Sequence, residues 1–108
     1  MGSLLKDKIC IVTGSTRGIG RAIADLYASE GARVIVNSTR EGSADAWIEA
    51  HPLRDRLHAL YFDISDPGQV RKNVMAVKKE FGRIDVLVNN AGVEYNELIG
   101  MISRDHMD

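Results

Sequence analysis

The segment Thr13-Gly14-Ser15-Thr16-Arg17-Gly18-Ile19-Gly20 constrains this chain more than any other. Its three glycines separate an apolar, β-branched run, Ile9-Cys10-Ile11-Val12-Thr13, from a stretch with helical periodicity. A short continuous apolar run predicts a strand covered on both faces, as in a parallel sheet. From Ile19 the pattern changes: Ile19, Ile23, Leu26 and Tyr27 recur at three- and four-residue steps and share one helical face, with Gly31 as a candidate left-handed cap. Gly14 suits a sharp turn, Gly18 lets a phosphate approach the main chain, and Gly20 lets the helix pack closely on the sheet. Free N–H groups at the helix start then face an anion. Glycine triplets also make plain tight connections; the position between a buried strand and an amphipathic helix is what favours phosphate binding.

The cycle repeats along the chain. Val34-Ile35-Val36 reads as a second strand, followed by a weaker helix from about Ser43 to Ala50 that Pro52 stops. His58 to Phe62 reads as strand three. Asp66-Pro67-Gly68-Gln69 is a helix start, with an N-cap acceptor, Pro at the first helical position and Gln at the third; Val70, Val74, Val77 and Phe81 then face inward. Ile84 to Val88 is strand four, and the residues after Gly92 read as a loop. Ser103 suggests another N-cap, yet Asp108 follows after barely a turn, an ending that reads as truncated. Strand–helix alternation with short connections predicts βαβ units and a parallel sheet with helices on both faces.

Composition narrows the class. The 108 residues allow one domain, read here as 1–108, and 14 basic against 15 acidic side chains leave a net charge of −1, which argues against a nucleic-acid arm or a polybasic membrane patch. The lone Cys10 forms no internal disulfide, and the N-terminus shows no signal-peptide pattern, so a reducing, cytoplasmic setting is the expectation. Apolar stretches fall far short of the ~20 residues that span a bilayer. Met1-Gly2-Ser3 hints at myristoylation, but Lys6 stands where that signal wants Ser or Thr.

The end of strand two discriminates between nucleotides. A carboxylate there holds an adenosine ribose through its 2′-hydroxyl, whereas a basic group accepts a 2′-phosphate. This chain offers Asn37-Ser38-Thr39-Arg40, with no acid before Glu41, and Arg17 and Arg40 both suit a 2′-phosphate. NADP(H) is therefore favoured over NAD(H), although two exposed arginines are also ordinary solvated surface. Asp63 ends strand three, where its carboxylate suits the adenine amino group or a local cap. Asn89-Asn90-Ala91-Gly92 ends strand four in small residues against which a nucleotide can lie; Asn side chains also satisfy neighbouring strand backbones.

Together, TGSTRGIG at 13–20, Asp63 and NNAG at 89–92 resemble the short-chain dehydrogenase/reductase family. Within it, RGIGRAIA at 17–24 and FGRIDVLVNNAG at 81–92 are most similar to the bacterial 3-oxoacyl-(acyl-carrier-protein) reductases. The resemblance covers essentially the whole chain but only the family's N-terminal, cofactor-binding part. It implies a Rossmann-type sheet of strand order 3-2-1-4, interrupted after strand four. It also implies that Gly14, Ser15, Thr16, Arg17, Gly18, Ile19 and Gly20 surround the pyrophosphate and adjoining ribose. Asn37, Ser38, Thr39 and Arg40 would hold the 2′-phosphate, Asp63 and Ile64 would flank adenine, and Asn90, Ala91 and Gly92 would approach the ribose nearer the nicotinamide.

One departure from the family bears on catalysis. Its members use a Ser and a Tyr with Lys four residues later, the Lys and cofactor lowering the Tyr pKa for proton exchange with the substrate oxygen. Four residues after Tyr27, Tyr61 and Tyr95 stand Gly31, Ser65 and Ile99. The catalytic groups, and the helices through which family members form oligomers, would therefore lie beyond Asp108, leaving the chain alone inactive. No catalytic or metal residue is assigned: Cys10 reads as a buried, inert thiol, and His51, His58 and His106 lack metal-ligand spacing. Trp47 is expected to cover the sheet edge, and Tyr95 is read as an exposed loop aromatic rather than the border of a substrate cleft. Two rivals stand beside the reductase: a stand-alone nucleotide-binding module, disfavoured by the open edge of strand four, and an adenosine-cofactor methyltransferase, disfavoured by Ser38 and Arg40 where an acid belongs.

Overall fold

In a computed structural model, which describes residues 4–15 and 18–90, four parallel strands form one sheet in the order β3-β2-β1-β4. The chain runs β1 (Ile9–Val12), α1 (Gly18–Ser29), β2 (Arg33–Ser38), α2 (Asp45–Ala50), a single 3₁₀ turn (Arg54–Arg56), β3 (Leu57–Tyr61), α3 (Pro67–Phe81) and β4 (Val86–Val88). The alternation expected from the sequence is present, in the expected spatial order. The 3₁₀ turn, Arg-Asp-Arg, carries no hydrophobic pattern by which the sequence would mark it.

Side-chain alternation along β1 and β2 divides the core between the two faces of the sheet. Ile9, Ile11 and Ile35 pack with Phe62, Ile64 and Ile84 against Val70, Val74 and Val77 of α3. Cys10, Val12, Val34 and Val36 pack on the other face against Ala24 and Ala28 of α1, with Ala44 and Leu57. Each fully buried valine contributes about 2 kcal/mol relative to leaving it in water, so the three of α3 account for much of that helix's attachment.

Helix α3 starts as its local sequence dictates. Asp66 Oδ1 accepts the N–H groups of Gly68 and Gln69, Pro67 opens the helix, and the Gln69 side-chain amide donates back to Asp66 Oδ2. Helix α1 departs from the expected hydrophobic face. Gly20, Ala24 and Ala28 are its buried positions, Ile23 and Tyr27 are half-buried beside them, and Ile19 and Leu26 are 73% and 56% exposed. Small residues at four-residue steps let the helix lie close to the sheet, and that proximity displaces the larger side chains to its flanks. Trp47 packs against the core cluster that includes Leu57 of the edge strand β3, with the Arg21 guanidinium 4.8 Å from its ring centre and His51 edge-on at 5.4 Å.

Candidate cofactor site

The carboxyl ends of β1, β2, β3 and β4 converge around the glycine turn. Thr13, buried at the end of β1, donates its N–H to the Val88 carbonyl at 3.0 Å and its hydroxyl to Asn89 Oδ1 at 3.2 Å, which ties the turn to the end of β4. Asn90 Nδ2 donates to the Gly14 carbonyl at 3.0 Å, so the second Asn of the NNAG segment supports the turn from the same side.

Ser15 and Asn37 tie the turn to β2. The buried Ser15 Oγ donates to the Val12 carbonyl at 2.7 Å and accepts the Asn37 N–H at 2.8 Å; the Ser15 N–H in turn donates to the Asn37 carbonyl at 2.8 Å. The Asn37 side chain is buried as well. Its Oδ1 accepts the Gly14 N–H at 3.3 Å, and its Nδ2 donates to the carbonyls of Leu60 at 3.2 Å and Phe62 at 3.1 Å. The amide thus makes three protein hydrogen bonds. Ser38 is half-buried and its Oγ accepts the Arg40 N–H at 3.1 Å; Thr39 and Arg40 are exposed.

Where α1 begins, the surface is open. Gly18 is exposed at φ +60°, and among the described residues nothing stands within 4 Å of the space a β-carbon would take. The N–H groups of the first helical turn have no intrahelical acceptor, so an anion can reach the main chain there without meeting a side chain of Gly18. Ile19 adds an exposed apolar side chain beside it. Gly20 is closed instead: a β-carbon would lie 2.4 Å from the Gly14 carbonyl oxygen and 2.6 Å from Asn90 Nδ2. Thr16, Arg17, Ala91, Gly92 and Tyr95, together with the Ser103 N-cap, lie outside the described residues.

At the end of β3, Asp63 Oδ1 accepts the Ser65 N–H at 2.9 Å and the Ser65 hydroxyl at 2.7 Å; these bonds, the hydroxyl first, hold its carboxyl below the usual range. Asp63 is therefore an ionised acceptor, and it also closes a local turn. Ile64 is 4% exposed with its side chain in the α3 core, so what it can present to a ligand is main chain. Cys10 lies under the sheet at 0% exposure, and burial, followed by the charge of Asp85, pushes its thiol up to about 11. It stays protonated and unreactive in the neutral range. Among the described residues no cluster of His, Cys, Asp or Glu is suited to a metal, and no helix is long and apolar enough to cross a membrane.

A parallel sheet in this order, with a glycine turn leading from an inner strand into the start of a helix, defines an α/β protein of the Rossmann type. Residues 8–108 match the family model described as short chain dehydrogenase, and the chain belongs to that family, whose members use a nicotinamide dinucleotide. It is similar to the 3-oxoacyl-(acyl-carrier-protein) reductase FabG of Haemophilus influenzae, 44% identical over 95 residues that make up 88% of this chain and 38% of the relative. FabG of Thermotoga maritima is 35% identical over 105 residues, covering 96% of this chain and 43% of that protein. Among solved structures, a short-chain dehydrogenase from Streptomyces avermitilis superposes with a TM-score of 0.81 at 26% identity, covering 91% of this chain and 45% of the other. The chain spans about two fifths of the length of the curated relatives it matches.

Proposed function

We propose that this chain is the NADP(H)-binding segment of a short-chain oxidoreductase whose complete form reduces 3-oxoacyl thioesters. The observation that carries this is the open helix start at Gly18, braced by Asn37 and Asn90 at the junction of all four strand ends. The similarity to reductases of that name supports the substrate class. Family membership leaves the methyltransferase rival without support.

In this reading the N–H groups at the start of α1, with Thr16 and Arg17, hold the diphosphate; Ser38, Thr39 and Arg40 receive the 2′-phosphate. Asp63 and the Ile64 main chain border the adenine, Ile19 stands by the diphosphate and adjoining ribose, and Asn90, Ala91 and Gly92 are the residues that would approach the ribose nearer the nicotinamide. The bound cofactor supplies a hydride to a carbonyl. The residues of this chain supply orientation, which lowers the barrier by fixing the reacting face before chemistry begins. Because the 108 residues contain no Tyr followed four positions later by Lys, proton transfer to the substrate oxygen falls to residues outside them. Cytoplasmic residence and homo-oligomeric assembly of the complete form belong to the same proposal; the single cysteine supports the first.

Calorimetric titration of the 108-residue chain with NADPH, NADH and S-adenosylmethionine tests the reading. NADPH is expected to bind more tightly than NADH, and S-adenosylmethionine not at all, with no reduction of an acetoacetyl thioester. Binding of S-adenosylmethionine alone, or of no nucleotide, overturns it.

A further inference from the structure

The geometry points to Asn37 as a positioning residue that holds the diphosphate-binding turn and the adenine corner at a set separation, an inference that rests on the dinucleotide reading above. One side chain joins three strand ends. Its Oδ1 takes the Gly14 N–H at the exit of β1, while its Nδ2 takes the carbonyls of Leu60 and Phe62 on either side of the last residue of β3. Asp63 follows Phe62 directly. The distance from the glycine turn to Asp63 is thus bridged by one buried amide, which cannot swing because both its donor and acceptor sides are engaged.

A second consequence concerns which amides meet the ligand. The Gly14 N–H is spent on the Asn37 side chain and the Ser15 N–H on the Asn37 carbonyl. Neither is left for an anion, so among the described residues the amides that can meet the diphosphate are those from Gly18 onward at the start of α1. Asn37 touches neither diphosphate nor 2′-phosphate in this arrangement. It acts on NADPH and NADH alike, whereas Ser38, Thr39 and Arg40 separate them.

The test uses Asn37→Ser and Asn37→Asp, with NADPH and NADH affinities measured by calorimetry and amide hydrogen exchange followed by NMR. Asn37→Ser removes the acceptor for Gly14 and both donors to β3; loss of both dinucleotides by the same factor, about tenfold, is expected. Without ligand, the Gly14 amide should exchange faster than in the parent chain while Ser15, bonded to the main chain of residue 37, keeps its protection. Asn37→Asp retains the acceptor and loses the donors, so Gly14 should stay protected while both affinities fall; this variant carries the test if Asn37→Ser does not fold. Unchanged Gly14 exchange in Asn37→Ser, unchanged affinities in a folded variant, or a loss confined to NADPH overturns the inference. A parent chain that binds neither dinucleotide overturns instead the functional reading on which it rests.

Discussion

Gly20 approaches Gly14 so closely that a β-carbon on the first would stand 2.4 Å from the carbonyl oxygen of the second. The obstacle is main chain, itself held by Asn90 Nδ2 at 3.0 Å, so it has little freedom to retreat. Gly20→Ala is expected to destabilise the chain by about 1–3 kcal/mol, the range for forced overpacking. Urea unfolding measures this; a variant as stable as the parent would show that the turn and helix are not in contact.

Arg40 stands exposed just past the end of β2, beyond the buried Asn37. Charge reversal there places a carboxylate beside the proposed 2′-phosphate. Arg40→Asp is therefore expected to weaken NADPH by roughly tenfold or more, as loss of a charge-assisted contact does, and to leave NADH within about twofold, a margin worth only a few tenths of a kcal/mol on the tenfold-per-1.4 kcal/mol scale. Equal losses for the two cofactors in fluorescence titrations would remove the 2′-phosphate assignment.

His58 on β3 has its Nε2 buried without a hydrogen-bond partner among the described residues and its ring edge-on to Phe81 at 5.0 Å. Burial, then the charge of Arg33, lowers its pKa from the ordinary 6.5, so the folded chain disfavours the proton that the unfolded chain accepts. Stability is unaffected by this group above pH 6.5 and is lost as pH falls below it toward the lowered folded value. His58→Leu should therefore flatten the pH dependence of unfolding as pH falls below 6.5. Thermal melts across that range check it; parallel curves for variant and parent would contradict the account.

Asp85 binds in the opposite sense. Desolvation raises its pKa, but the Ile9 N–H at 2.8 Å and Arg83 Nε at 2.9 Å outweigh that and lower it below the ordinary 3.8. The resulting stabilisation is fully present above pH 3.8 and disappears as pH drops through the lowered folded value. Asp85→Asn should be less stable than the parent at pH 7, with the gap closing in acid. A gap independent of pH would mean that packing rather than charge is at work.

Cys10 offers a check on the core itself. Its thiol, 0% exposed and raised to about 11, should react with a disulfide reagent at pH 8 only as fast as the chain unfolds. Rapid labelling of the folded chain would place β1 at the surface.

The amino-acid sequence alone determined whatever depends on neighbours along the chain. The apolar runs mark all four strands, Asp66-Pro67-Gly68-Gln69 marks the start of α3, and the order of strands and helices fixes a parallel sheet with the glycine turn at its centre, because crossovers admit one hand. Tertiary structure decided where side chains point when two elements compete for them. The burial of Gly20, Ala24 and Ala28 in place of Ile19 and Leu26 depends on how near α1 comes to the sheet. Helix α2 has no side-chain cap of its own; Tyr61, from β3, accepts the Ala44 N–H at 2.9 Å and donates to Asp45 Oδ1 at 2.6 Å. Asn37 reads in the sequence as one more polar residue at a strand end, equally suited to ligand and to protein. Only the proximity of Gly14, Leu60 and Phe62 turns its amide inward, since a buried polar group is stable where its partners are, and those partners are brought together by the fold.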